Sequence, residues 1–146
     1  MIVRSTVNGA EVLRDVEPRL LLSDFLRHEL ELTGTHVGCE AGMCGACNVL
    51  LDGVTVRSCL IFAPQIDGHQ VTTVEGIEDI GELRDRFVEH RGFQCGFCTP
   101  GVLVSLAELR PWQNHATEED VRALLVGNVC RCTGYNGIVE AARGRP

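Results

Sequence analysis

Eight cysteines in two blocks of four constrain this chain more than any other feature. They stand at positions 39, 44, 47 and 59, then at 95, 98, 130 and 132, in a sequence of 146 residues. An even count admits disulfides, but disulfide-dense chains are typically short and secreted. The N-terminal MIVRSTVNG has no basic stretch followed by an apolar one, so no secretory signal is read there and a cytoplasmic location is expected. In a reducing compartment, clustered thiols more often bind metal.

The first block reads Cys39-x4-Cys44-x2-Cys47, with eleven residues between Cys47 and Cys59. This is the plant-type spacing for a 2Fe–2S cluster. The segment GCEAGMCGAC supplies Gly38, Gly42 and Gly45, which let the backbone wrap a compact group and aim N–H groups at sulfur. Three thiolates come from one loop and the fourth from a neighbouring strand. Zinc and disulfides remain as alternatives.

The second block pairs Cys95-x2-Cys98 with Cys130-x1-Cys132. Thr99 and Pro100 read as an N-cap and first helical residue, opening a helix through Val102, Leu103, Leu106 and Leu109 that stops before Pro111. Cys130 and Cys132 precede a helical segment at 135–143. Both pairs are therefore expected at helix N-termini, where the dipole favours thiolate charge. The tight Cys130–Cys132 spacing is compatible with both thiolates reaching one iron. Zinc is the alternative here too, although Cys-x-Cys fits its usual spacings poorly.

The first half reads as strands and turns. Segments 2–7 and 11–16 flank Asn8-Gly9, and 48–51 and 54–57 flank Asp52-Gly53, two hairpin signals. Ser23 reads as the cap of a helix at 24–30 with Phe25, Leu26 and Leu30 inward, and 71–74 as a last strand. Composition shifts across 75–79, dividing the chain into domains 1–76 and 77–146. Four helices follow: 80–90 ending near Gly92, 99–110, one opened by a Thr117 capping box with Val121, Leu124 and Leu125 on one face, and 135–143. The fold class is α+β, a compact strand-rich domain followed by a helical bundle.

Composition narrows function by exclusion. A formal charge of −7 opposes general nucleic-acid binding, and no apolar run is long enough to span a membrane. There is no Ser/His/Asp set and no phosphate-cradling loop, so this chain carries no substrate-transforming site; electron conduction is what its thiols offer. The histidines at 28, 36, 69, 90 and 115 read as surface or helix-end residues, Arg131 as exposed, and Trp112 and Tyr135 as packing. Phe93 and Phe97 flank cluster cysteines, either screening the site or packing in the core.

Three segments, GCEAGMCGACNVLLDGVTVRSC, HRGFQCGFCTPG and GNVCRCTGYNGIV, resemble the small iron–sulfur subunit of the molybdenum hydroxylases, the xanthine oxidase / carbon monoxide dehydrogenase family. The resemblance runs from about residue 2 to 142 and includes all eight cysteines. It implies a β-grasp, ferredoxin-like domain with one 2Fe–2S cluster on Cys39, Cys44, Cys47 and Cys59. It implies a four-helix domain with a second on Cys95, Cys98, Cys130 and Cys132. It implies a large molybdopterin subunit and a medium FAD subunit, in a heterotrimer or a dimer of heterotrimers. It implies that substrate is hydroxylated at molybdenum with oxygen from water, and that electrons pass through the helical-domain cluster, then the plant-type cluster, to FAD. Gln94 and Cys132 match residues that lie against the pterin. Asn48 departs from the family's usual Thr at a position that is not a ligand, and the chain stops at Pro146, where some relatives continue into a docking segment. The rival readings are a free-standing two-cluster ferredoxin and a zinc-stabilised interaction module.

Overall fold

The computed structural model describes residues 1–110 and 116–143. Pro111, Trp112, His115 and the terminal Pro146, singled out above, lie outside them.

Strand β1 (Ile2–Val7) alternates exposed and inward residues, burying Val3, Ser5 and Val7. It pairs antiparallel with β2 (Ala10–Asp15) across Asn8-Gly9, whose φ values of 51° and 80° are those of a tight type I′ turn. The second hairpin, β3 (Asn48–Leu51) and β4 (Val54–Arg57), turns at Asp52-Gly53 in the same way, with φ of 49° and 84°. Strand β5 (Gln70–Thr72) joins the hairpins, parallel to β1 and antiparallel to β3, so the five-stranded mixed sheet runs β2-β1-β5-β3-β4. The short α1 (Leu22–Asp24), continued by a π-helical turn over Phe25–Glu29, lays Phe25 and Leu26 on the sheet. With Val3, Leu22, Val49, Ala63, Ile66 and Val71 they form the first core. Each such large side chain contributes about 1.5–3 kcal/mol by leaving water.

Ser23 does not cap this helix; it is buried within it. The N-terminal N–H of Leu22 is taken by the Ile61 carbonyl at 2.7 Å, a partner nearly forty residues away. A long-range hydrogen bond replaces the local cap.

The second half holds α2 (Gly81–Glu89), α3 (Thr99–Leu109), α4 (Glu118–Leu124) and α5 (Asn136–Ala142). Leu83, Phe87, Val102, Leu106, Val121, Leu125, Ile138 and Val139 form a second core. The Thr117 box is present, closed by Asp120: its N–H donates to Thr117 Oγ1 at 3.2 Å and its carboxylate accepts the Thr117 N–H at 2.9 Å. The left-handed residue ending α2 is Arg91 rather than Gly92, which is needed instead for its close packing on the Phe87 ring. Helix α3 begins one residue earlier than expected, with Cys98 at the N-cap and Thr99 already helical.

The two halves meet where α3 packs on β3 and β4. A Cβ on Gly101 would lie 2.0 Å from the Gly45 carbonyl, and one on Gly45 would lie 2.4 Å from the Gly127 carbonyl. Backbone therefore lies on backbone here, and only glycine fits. Among the described residues no helix is long and apolar enough to cross a membrane.

Candidate functional site

All eight cysteines are free thiols, and the fold gathers them into the two expected sets of four. In the first, Cys47 immediately precedes β3 and Cys59 lies in the 3-10 turn Ser58–Leu60 that follows β4. The hairpin register, Asn48 opposite Arg57, brings them together, and Ser58 fastens the end by donating Oγ–H to the Cys47 carbonyl at 2.7 Å. Cys39 and Cys44 come from the preceding loop. Cys39 Sγ accepts N–H groups of Ala41, Met43 and Cys44 at 3.4, 3.3 and 3.4 Å.

These contacts divide the thiols electrostatically. The N–H groups of Ala41, Cys44 and Met43 pull the Cys39 thiol down to about 6. Burial, with Cys47 alongside, pushes Cys59 up to about 11. Cys39 is exposed at the rim, with exposed Met43, Leu60 and Phe62 in the same two loops; Cys47 and Cys59 are buried beneath.

The second set is built from the Cys95–Cys98 loop, which ends as the N-cap of α3, and from the 130–132 loop. Cys132 Sγ lies 3.5 Å from Cys95 Sγ, while Cys130 is in thiol contact with Cys98. The two cysteines of Cys-x-Cys therefore face different partner thiols. First pairs with last and second with third, each loop giving one sulfur to each pair. The helix-terminus expectation holds for Cys98 alone; Cys132 is separated from α5 by Thr133, Gly134 and Tyr135.

Burial and the neighbouring Cys130 thiol push Cys98 up to about 12. Cys130 is buried, which opposes ionisation, yet hydrogen bonding from Thr133, whose Oγ1 is 3.1 Å from Cys130 Sγ, leaves it lowered. Cys132 is raised by its contact with Cys95, and the Phe97 N–H reaches Cys95 Sγ at 3.5 Å. Tyr135 does more than pack. Its hydroxyl accepts the Cys130 N–H at 2.8 Å and donates to the Asn128 carbonyl at 3.1 Å, holding the loop from both sides.

Gln94, Cys95 and Cys132 are all exposed, so the second set also has an open rim. Phe93 and Phe97 are both partly exposed rather than core residues. Phe93 lines a groove of about 400 Å³ with Val88, Thr99, Pro100 and Leu103. The Phe97 ring stacks on His36 at 4.9 Å between centroids, and His36 Nδ1 lies 2.8 Å from the Phe97 carbonyl, a bridge between the two cysteine loops. His69 pairs with Asp52 at 2.6 Å, and His90 ends α2.

This donor set fits paired irons. A 2Fe–2S cluster asks for two thiolates on each iron, whereas a structural zinc ion asks four ligands to meet at one point. Here the sulfurs group as Cys39 with Cys44, Cys47 with Cys59, Cys95 with Cys132 and Cys98 with Cys130. Backbone N–H groups point at sulfur, as charge on thiolates requires.

Comparison with known proteins agrees. Residues 5–74 match the family described as "2Fe-2S iron-sulfur cluster binding domain", and residues 73–143 match "[2Fe-2S] binding domain". The chain is 47% identical to the caffeine dehydrogenase subunit gamma of Pseudomonas sp. (strain CBB1), over 97% of this chain and 89% of that protein. It is 47% identical to the nicotine 6-hydroxylase small subunit of Paenarthrobacter nicotinovorans, over 96% of this chain and 86% of that protein. Among solved structures, quinoline 2-oxidoreductase from Pseudomonas putida 86 superimposes with a TM-score of 0.92 at 42% identity, covering 98% of this chain and 90% of that one.

Proposed function

The chain belongs to the small iron–sulfur subunits of the molybdenum hydroxylases, and from that premise we propose that its eight cysteines hold two 2Fe–2S clusters in the pairs described above. It is the electron-transfer subunit of an oxidoreductase complex. When bound, the clusters supply one-electron carriers between a molybdopterin centre on the large partner subunit and FAD on the medium one.

The grouping of thiols in twos carries this reading. Cys39 and Cys44 would hold one iron of the first cluster, and Cys47 and Cys59 the other. Cys95 with Cys132, and Cys98 with Cys130, would do the same for the second. The chain's own residues stabilise thiolate charge and exclude water. The N–H groups of Ala41, Met43 and Cys44 act at Cys39, that of Phe97 at Cys95, and Thr133 acts at Cys130. Burial covers Cys47, Cys59 and Cys130. Each set leaves one rim open, Cys39 in the first and Cys95 with Cys132 in the second. The second rim, with Gln94 beside it, faces the molybdopterin subunit, and Gln94 and Cys132 contact the pterin. The first faces the FAD subunit.

In finer terms, the sheet domain is a β-grasp over 1–76 and the helical domain a four-helix bundle over 77–146. The assembly is a heterotrimer, single or doubled, in the cytoplasm. Purification of the tagged chain from its native host tests this. The large and medium subunits should accompany it, with molybdenum, pterin and FAD. Recovery of the chain alone with both clusters intact would instead favour a free-standing ferredoxin.

A further inference from the structure

Arg57 stands two residues before Cys59 at the end of β4, opposite Asn48 on β3. Its guanidinium reaches three separate segments. Nε donates to the Gly42 carbonyl at 3.2 Å, inside the loop from Cys39 to Cys44. Nη2 donates to the Gly127 carbonyl at 2.6 Å, three residues before Cys130. Nη1 donates to Asn48 Oδ1, beside Cys47.

Asn48 extends the reach with its amide N–H groups. They donate to Ser105 Oγ at 2.7 Å, to Asn128 Oδ1 at 3.1 Å and to the Gly101 carbonyl at 3.3 Å, three residues after Cys98. Asn48, Ser105 and Asn128 are 2%, 7% and 3% exposed, so this network lies between the two halves, away from water. Every cysteine-bearing segment of both sets is thus tied, within three residues of a cysteine, to one arginine–asparagine pair. The planar fork holds its N–H groups in fixed directions toward these three acceptors, whereas an ammonium's three donors rotate at the end of a flexible stem. The guanidinium is also a permanent, half-buried positive charge beside loops that carry thiolates.

Resting on the two-cluster reading above, we infer that the Arg57–Asn48 pair is a positioning element for transfer between the clusters. It sets how the two cysteine sites stand toward each other, and its charge favours the reduced form of both. It acts through the segments that carry the cysteines.

The test uses the intact complex carrying Arg57→Gln or Arg57→Lys, with iron and sulfide content, redox titration followed by EPR, and the magnetic broadening between the two reduced clusters. For Arg57→Gln, both clusters are retained. At a fixed solution potential the reduced-to-oxidised ratio falls about threefold for each, the scale expected of one partly screened charge, and the broadening changes. Arg57→Lys keeps the charge and loses the fork, so the ratios return toward wild type while the broadening stays altered. Wild-type ratios and broadening in Arg57→Gln overturn the inference, as does a change confined to the plant-type cluster. If Arg57→Gln loses a cluster, wild-type broadening in Arg57→Lys overturns it. A wild-type complex without two EPR signals sinks the two-cluster reading itself, a result distinct from any of these.

Discussion

Val129 donates its backbone N–H to the Cys44 carbonyl at 2.8 Å, so the loops of the two cysteine sets are directly hydrogen-bonded. Val129 adjoins Cys130, and only main chain lies between the two cysteines on this route. The contact exists because Gly45 and Gly101 let the backbones close.

Adding one methyl group tests that closeness. In Gly101→Ala the new Cβ meets the Gly45 carbonyl at 2.0 Å, and rigid backbone cannot yield as a flexible side chain would. The expected cost is about 2–3 kcal/mol, or roughly 5–15 °C in the unfolding midpoint. Gly81→Ala is the control: nothing lies within 4 Å of the added atom, and its midpoint should move by less than roughly 3 °C. Equal shifts in thermal melts of the two variants would contradict the packing.

The crossed pairing of the second set has its own test. After cluster removal and gentle oxidation, peptide mapping should recover Cys95 linked to Cys132 and Cys98 linked to Cys130, following the thiol contacts. Recovery of Cys95 with Cys98, or Cys130 with Cys132, would contradict the arrangement.

Tyr135→Phe removes both hydroxyl contacts and leaves the Cys130 N–H and Asn128 carbonyl unpartnered. A loss of about 1–3 kcal/mol is expected. It should appear locally: a chelator should draw iron from the helical-domain cluster faster than in wild type, with the plant-type signal unchanged. Parallel loss of both signals would mean that Tyr135 supports the fold rather than the loop.

Three N–H donors lower Cys39, so its thiolate dominates above about pH 6 in the cluster-free chain and is lost as pH falls through that value. Cys98 sits near 12 because it is buried against Cys130. Brief alkylation at pH 7 should therefore label Cys39 well before Cys98, with Cys39 labelling half-maximal near pH 6. Labelling of Cys39 that rises only above pH 8 would show that the donors do not reach its sulfur.

What the sequence reveals is what short stretches determine. Asn8-Gly9 and Asp52-Gly53 carry their own left-handed turns, and the Thr117 box closes within four residues, so these elements fall where expected. The cysteine spacings identify both sets for the same reason. Contacts between distant segments are not legible. Leu22 is capped by Ile61, so Ser23 misleads. Cys132 finds Cys95, and Cys130 finds Cys98, across more than thirty residues, so the tight spacing gives no hint of crossed pairing. Asn48 is noticeable in sequence only as an unusual residue beside Cys47, and Arg57 not at all. Their importance comes from a hairpin register and an approaching helix that no local pattern encodes.

The central claim is that one chain holds two 2Fe–2S clusters on paired thiolates. Iron and acid-labile sulfide analysis of the purified protein, with EPR after reduction, tests it most directly. About four iron and four sulfide per chain, with two distinct signals, are predicted. Tightly bound zinc without sulfide, or a single signal with half that iron, would contradict it.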